Sequence, residues 1–242
     1  MVIVVVDANS MEAMEKPKRS LMPMRSDERL AEKIATEVLP RYPVSKILDI
    51  GCGDGVVSQH LPAQTNYQGL DISEACIYEQ KHDNPLVSYV QPEAIAKIVK
   101  EEGPWDMVLL LDVLEHTRDF TGLFEQAMRN AQQYVVVSLP NELFFLDRLR
   151  MLAGRELNAH SLDLVGLTEG FKHQFIINIA KARTLLTEKA RNYGFHLHEE
   201  IVRPLKPKQA ILGLPTKIFQ LIASDQAWSQ GSIFIFSRQK VQ

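Results

Sequence analysis

Three glycines at alternate positions, Gly51, Gly53 and Gly55, with Asp49 and Asp54 beside them, are the residues with the most chemical content in the chain. Closely spaced glycines let a backbone turn sharply and approach a ligand where any Cβ would clash. The segment Leu48–Gly55 follows a short apolar run, Lys46–Ile50, and leads into a helical pattern over Val56–Leu61. At the carboxyl end of a strand in an open parallel sheet, such a turn sits where ligands bind. A tight strand-to-helix turn without a ligand would use the same residues, and the side chains around the loop argue for a ligand of a particular kind. A dinucleotide loop needs a third glycine three places after the second, so that the helix packs close under a pyrophosphate. That place is Val56 here. Two acidic neighbours are awkward for a pyrophosphate and suit a cation. Asp71, at the end of the next apolar run Tyr67–Leu70, stands where an acidic side chain accepts hydrogen bonds from ribose hydroxyls. The lesser alternative is that it supplies negative charge ahead of a helix that Ser73 caps. A nucleoside that carries positive charge and no phosphate satisfies both features, and S-adenosylmethionine is such a molecule.

The elements that must hold these residues follow from periodicity. Strands are expected over 46–50, 67–70, 86–90, 105–111 and 134–139, and helices over 56–61, 73–82, 93–101 and 119–131. Alternation at these intervals implies right-handed crossovers and a parallel sheet covered on both faces. An earlier helical pattern over 29–39 is stopped by Pro40 and Pro43. Beyond Pro140 the rhythm changes: a long insertion over 141–172, a helix over 178–192 ending at Gly194, and strands over 196–202 and 232–237, with a helix near 217–222 between them. Residues 1–25 read as a loosely held arm, whose run Val2–Val6 could add an edge strand or touch a partner, and 26–242 as one domain.

With 242 residues, 45% hydrophobic and 24% charged, the chain can bury the core of one large domain. A net charge of -3 argues against wholesale attraction to nucleic acid or an anionic membrane. Cys52 and Cys76 are too few for a disulfide framework and suit a reducing compartment. No stretch is long enough to span a bilayer, and a cytoplasmic protein without stable membrane insertion is expected.

The glycine loop, Asp71, the segment Trp105–His116 and the run Val135–Asn141 together resemble the class I S-adenosylmethionine-dependent methyltransferases. Within these, the small-molecule branch that includes the ubiquinone-biosynthesis type is most similar. The resemblance covers residues 29–141 and resumes at Phe171–Phe175 and Asn192–Phe195. It implies a Rossmann-like α/β fold with a seven-stranded, mostly parallel sheet whose last strand is antiparallel. It also implies S-adenosyl-L-methionine as cofactor and a small-molecule acceptor methylated at oxygen or carbon. By position, Asp49, Gly51, Cys52, Gly53 and Gly55 would hold the methionine end, and Asp71 the ribose, with Ile72 beside it. Asp112 would lie near the methyl group, at the mouth of the site. Glu93 falls where the family places an acid facing the adenine amine, although Pro92–Glu93 replaces the usual Gly-Asp; a solvated helix start is the other reading. The nucleic-acid branch carries Asn/Asp-Pro-Pro-aromatic after the fourth strand, where this chain reads Leu111-Asp112-Val113-Leu114. A protein that kept the fold and loop but lost turnover is the competing reading from another class.

His116 and His173 are the candidates for acid–base work, since imidazole exchanges protons near neutral pH. For His116, in the turn after the fourth strand, hydrogen-bonding of that loop is the plainer role; His173 resembles a family position at the edge of the substrate pocket, where structural and functional roles both fit. No metal-ligand spacing is evident, so no metal is expected. The insertion 141–172, with Phe144, Phe145, Leu149 and Leu152, either packs over the sheet end or forms a lid on the acceptor.

Overall fold

A computed structural model describes residues 18–21, 30–72, 85–157, 160, 172–204 and 225–239. Eight strands form one sheet: β1 (Lys18–Leu21), β2 (Lys46–Ile50), β3 (Asn66–Asp71), β4 (Val87–Tyr89), β5 (Trp105–Leu111), β6 (Ala131–Pro140), β7 (Phe195–Pro204) and β8 (Ser229–Arg238). Their order is β1-β7-β8-β6-β5-β2-β3-β4. All pairings are parallel except those of β8, which runs antiparallel to both β6 and β7. Seven strands thus have the expected arrangement, with the last one reversed. The short β1, drawn from within the N-terminal arm, adds an eighth beside β7. The Val2–Val6 run lies outside the described residues, as do the helices expected over 73–82 and 217–222.

The central strands read as unbroken apolar runs because both faces are covered. Along β5, Val108 and Leu110 join one core, while Met107 and Leu109 join the other. Along β8, Phe234 and Phe236 face the first, Ile233 and Ile235 the second. The first core is closed by helices α2 (Pro92–Glu101), α3 (Phe120–Asn130) and α5 (Ile179–Arg191), through residues such as Val99, Phe124 and Leu186. The second is closed by the helical segment that starts as α1 (Leu30–Lys33), through Ile34, Val38 and Tyr42. Each fully buried Leu, Ile, Val or Phe contributes about 1.5–3 kcal/mol, so the sheet centre is where stability concentrates.

Two helices depart from expectation. The segment after α1 continues as a π-helical turn, Ile34–Val38, and a 3₁₀ turn, Leu39–Arg41. Pro40, inside that last turn, lacks the N–H that would continue the α ladder. After the glycine loop, Val56–His60 is 3₁₀ rather than α. Pro62 disfavours helical backbone at Leu61, which is extended and leaves too little chain for an α-helix to develop.

Strand order also fixes where a ligand belongs. From β2 the chain moves outward through β3 to β4, then returns to the other side of β2 to lay down β5 and β6. The crevice between the carboxyl ends of β2 and β5 is the switch point at which open α/β sheets bind ligands. The glycine loop follows β2, and Asp112 follows β5.

Candidate cofactor and catalytic site

At the end of β2 the backbone takes left-handed conformations at Gly51 (φ 74°), Gly53 (φ 53°) and Gly55 (φ 66°), a sequence of turns that only glycine adopts without strain. Gly51 and Gly53 differ in the space around them. A Cβ on Gly51 would collide with the Val113 side chain, so the loop packs directly on the turn after β5. Among the described residues nothing lies within 4 Å of the place a Gly53 Cβ would take, which leaves that face of the backbone open to them. The amides of Gly51 and Cys52 are bonded to the Leu70 carbonyl at 2.7 and 3.3 Å. The Gly53 amide donates to Asp71 Oδ2 at 2.7 Å. Asp71 therefore both ends β3 and holds the loop, with Ile72 exposed just after it.

Asp49 is 1% exposed, and Tyr67 donates its hydroxyl to Oδ2 at 2.9 Å. Oδ1 has no hydrogen-bond partner among the described residues. Burial pushes the Asp49 carboxyl up to about 7 and the Asp71 charge adds to the rise, while the Tyr67 hydrogen bond works the other way. A buried acid with an unsatisfied oxygen beside an open glycine loop is what a cationic group would complete. Burial likewise raises the Cys52 thiol, whose sulfur packs against Gly69 where a Cβ would meet it at 2.6 Å.

Asp112 is the one non-glycine residue with positive φ (50°) among the described residues. Its carboxylate is fully engaged: Ser138 donates its hydroxyl to Oδ1 at 2.7 Å and Arg203 Nη1 donates to Oδ2 at 3.1 Å. Glu93 is exposed in the first turn of α2.

A second cluster is assembled from three segments. The turn Leu114–His116 follows Asp112; Glu142 follows β6; residues 172–177 pass over both, with the Gln174 amide donating to the Glu115 carbonyl at 2.7 Å. His173 Nδ1 and His160 Nε2 each lie 2.8 Å from Glu142 Oε1, and the Ile177 amide donates to Oε2 at 2.9 Å. Burial opposes ionisation of Glu142, but the His173 and Ile177 hydrogen bonds outweigh it and hold the carboxyl below its ordinary value. His116 meets His173 edge-on at 4.6 Å between ring centroids and is hydrogen-bonded to the Lys172 main chain. Burial first, and His173 second, lower its pKa, so it is neutral imidazole at pH 7. Glu115 is 1% exposed, and burial with the nearby Asp112 charge pushes it up to about 8. Its Oε2 and His116 Nδ1 lack partners among the described residues. Glu115, His116 and His173 bring ligating atoms within 4.8 Å of one another, as do Glu142, His160 and His173.

The structure thus gathers Asp49, Gly51, Cys52, Gly53, Gly55, Asp71 and Asp112 at one crevice, and His116 with His173 next to Asp112. Glu142, Glu115, His160 and Arg203 carried no role in the sequence reading. The contacts of Glu142 with His160 and His173, and of Arg203 with Asp112, join residues 18, 31 and 91 positions apart, so local spacing gave no signal for them, although Glu115 lies within the segment Trp105–His116 and Glu142 and His160 within the insertion 141–172.

The family described as a methyltransferase domain matches residues 24–200. The ubiquinone biosynthesis O-methyltransferase of Pseudomonas aeruginosa (strain UCBPP-PA14) is 34% identical over 79 residues, 31% of this chain and 34% of that protein. The mitochondrial ubiquinone biosynthesis O-methyltransferase of Saccharomyces cerevisiae is 31% identical over 94 residues, 36% of this chain and 30% of that one. The chain matches about a third of the length of these curated relatives. Among solved structures, a SAM dependent methyltransferase from Archaeoglobus fulgidus aligns with a TM-score of 0.55 at 14% identity, covering 86% of this chain and 94% of that one. The N-terminal domain of EvdMO1, solved with SAH bound, aligns with a TM-score of 0.51 at 16% identity, covering 88% and 82%. The likeness to these structures is one of fold. The chain belongs to the methyltransferase-domain family and has the Rossmann-like fold of the class I S-adenosylmethionine-dependent methyltransferases.

Proposed function

We propose that this protein is an S-adenosyl-L-methionine-dependent O-methyltransferase that acts on a small-molecule hydroxyl in the cytoplasm. The observation that carries the choice of oxygen is His173 held at Nδ1 by Glu142, 2.8 Å away, in the cluster that continues from the turn after β5. Asp49 and the loop Gly51-Cys52-Gly53-Gly55 would hold the methionine end, and Asp71 with Ile72 the ribose. The unsatisfied Asp49 oxygen and the open face at Gly53 fit such a ligand. The cofactor supplies a methyl group already activated on a sulfonium, so the protein is left with positioning the acceptor and moving its proton.

A hydroxyl is a weak nucleophile until its proton leaves. Glu142 accepts the Nδ1 proton of His173, which orients the ring and leaves Nε2 as the basic atom. The same carboxylate stabilises the imidazolium once the proton arrives. A base placed in this way contributes on the order of 10²–10⁴ in rate, and correct alignment of the reactants up to about 7–11 kcal/mol. Asp112 at the mouth of the crevice and Glu93 at the start of α2 complete the cofactor set by position. The O-methyltransferase names of the curated relatives support this reading over the matched third of their length.

A second reading uses the same cluster differently. Glu115, His116 and His173 suit a divalent cation, and Glu115 Oε2 and His116 Nδ1, which lack partners among the described residues, favour one, because a cation would satisfy both. A bound cation would lower the pKa of an acceptor hydroxyl directly.

Both readings are tested with cofactor labelled with carbon-13 in the methyl group and fractionated small-molecule extract. An O-methyl product resonance is expected. His173→Gln should lower transfer by about 100-fold or more while S-adenosylhomocysteine affinity stays within error. Loss of transfer on chelation, restored by a divalent cation, selects the second reading. A C-methyl product, or unchanged transfer by His173→Gln, would overturn the assignment to oxygen. Tight cofactor binding with no transfer to any fraction would instead indicate a binding protein that has lost turnover.

A further inference from the structure

Arg203 lies on β7, three strands from β5, yet its side chain ends at Asp112. The route requires a specific gap. Arg203 pairs with Gly231 of β8, and a Cβ there would collide with Nη2 and the Leu139 carbonyl, and stand 2.6 Å from Nε. The guanidinium therefore crosses β8 over a bare glycine, donates from Nη2 to the Leu139 carbonyl of β6 at 3.0 Å, and reaches Asp112 with Nη1. It is 6% exposed, and its Nε has no acceptor among the described residues. Ordering a long cationic side chain across two strands, with one donor unsatisfied, costs free energy that must be returned elsewhere. What it reaches is the turn that packs on the cofactor loop: Asp112 takes up a left-handed backbone conformation, and the next residue, Val113, fills the space against Gly51.

We propose that Arg203 is a positioning residue that cancels the charge of Asp112 at the mouth of the cofactor crevice and fixes the Asp112–Val113 turn against the glycine loop. The proposal rests on the cofactor reading above. Its physical reason is the charge change during the reaction. The sulfonium of S-adenosylmethionine is a cation, and the thioether of S-adenosylhomocysteine is neutral. An unpaired carboxylate beside the sulfur would favour the cationic ground state and oppose its discharge in the transition state. Pairing Asp112 with Arg203 removes that bias without removing the hydrogen-bonded turn. Ser138, donating to the other carboxylate oxygen and accepting from the Asp112 amide at 2.9 Å, holds the geometry from the opposite side.

The test is the ratio of dissociation constants for S-adenosylmethionine and S-adenosylhomocysteine, measured by calorimetry on the full chain without acceptor. Arg203→Met leaves the carboxylate unpaired and should shift preference toward S-adenosylmethionine by about three- to tenfold, the effect of one charge in a partly screened crevice. Asp112→Asn is isosteric and leaves the guanidinium unpaired; it should shift preference the other way by a similar factor. The double variant should return to the parent ratio. A purely structural role predicts equal weakening toward both ligands in every variant. Equal weakening, an unmoved ratio, or two single variants shifting in the same direction overturns the proposal. Should Arg203→Met fail to fold, the Asp112→Asn shift decides alone, and Arg203→Lys, which keeps the charge, should leave the ratio near the parent value. If the parent protein binds neither ligand, the cofactor reading itself falls, an outcome distinct from binding with an unmoved ratio.

Discussion

At the scale of single residues, Asp49 is the most informative group, because the proposed cofactor role and its buried environment together tie ligand binding to pH. Its carboxyl is raised from an ordinary 3.8 to about 7, chiefly by burial. The folded protein therefore holds a proton there that the unfolded chain has released. Its contribution to stability is present in full below about pH 4, falls through the window between 3.8 and about 7, and is lost above it. Ligand binding has the opposite sign. An ammonium group pairs only with the ionised carboxylate, so S-adenosylhomocysteine affinity should rise with pH up to about 7 and then level off. The rise should approach tenfold per pH unit, with about one proton released per ligand bound in the acidic part of the range. Calorimetry in buffers of different ionisation enthalpy reads both quantities. Asp49→Asn should bind more weakly at pH 8 and lose the dependence. A variant that keeps the full dependence would move its origin to Glu115 or the histidines. The same residue also shows what a sequence can disclose. Asp49 and the glycines fall within the eight consecutive residues Leu48–Gly55, so their types and spacing are legible before any of their partners is known. The Glu142–His173 pair and the Arg203–Asp112 pair join residues 31 and 91 positions apart. No local pattern encodes such contacts; they appear only once the sheet has ordered its strands.

At the scale of elements, strands buried on both faces were legible because an apolar run flanked by turn residues has few other uses. The edge strand β1 was not, since Lys18-Arg19-Ser20-Leu21 has no apolar period and forms by adding backbone hydrogen bonds to β7. The insertion after β6 was legible as an insertion and not as a shape. It contains helix α4 (Phe145–Leu152), in which no residue is buried. Phe145 packs on Trp228 with ring centroids 4.5 Å apart, while Leu149 and Leu152 are 54% and 84% exposed. A helix this short is marginal without tertiary burial, so α4 should open locally at small cost. Its amides are expected to exchange with solvent at least about a hundredfold faster than those of β6 in the free protein, a difference of roughly 3 kcal/mol in opening free energy. Phe145→Ala, which removes the anchor on Trp228, should speed exchange in α4 further and leave S-adenosylhomocysteine affinity unchanged. Exchange in α4 as slow as in β6 would make it a fixed cover over the sheet end, and the idea of a lid should then be dropped.

At the scale of the whole molecule, the crevice lies where the two halves of the sheet meet, β2-β3-β4 on one side and β5-β6-β8-β7-β1 on the other. Asp49, the glycine loop and Asp71 come from the first half, and Asp112 from the second. A ligand that touches both halves binds only when the central pairing of β2 with β5 is intact. Binding free energy is then added to global stability, as RT ln(1 + [L]/Kd). At a ligand concentration of about 100 Kd this is about 2.7 kcal/mol. For a domain of this size each kcal/mol moves the midpoint by about 2–4 °C, so S-adenosylhomocysteine should raise the melting temperature by roughly 5–11 °C. NAD should not, because Val56 stands where a third glycine would admit a pyrophosphate, and two acids flank the loop. Asp71→Ala removes the hydrogen bond to the Gly53 amide and, on the proposed reading, the ribose acceptor. It should weaken cofactor binding by about 1.5–3 kcal/mol, the range for hydrogen bonds to a charged group. At the same ligand concentration, most of the thermal shift should then disappear. The control is the melting temperature of Asp71→Ala without ligand, which separates damage to the loop from loss of binding. A thermal shift with NAD as large as that with S-adenosylhomocysteine would show that the loop discriminates neither charge nor shape, and the cofactor reading would have to be abandoned.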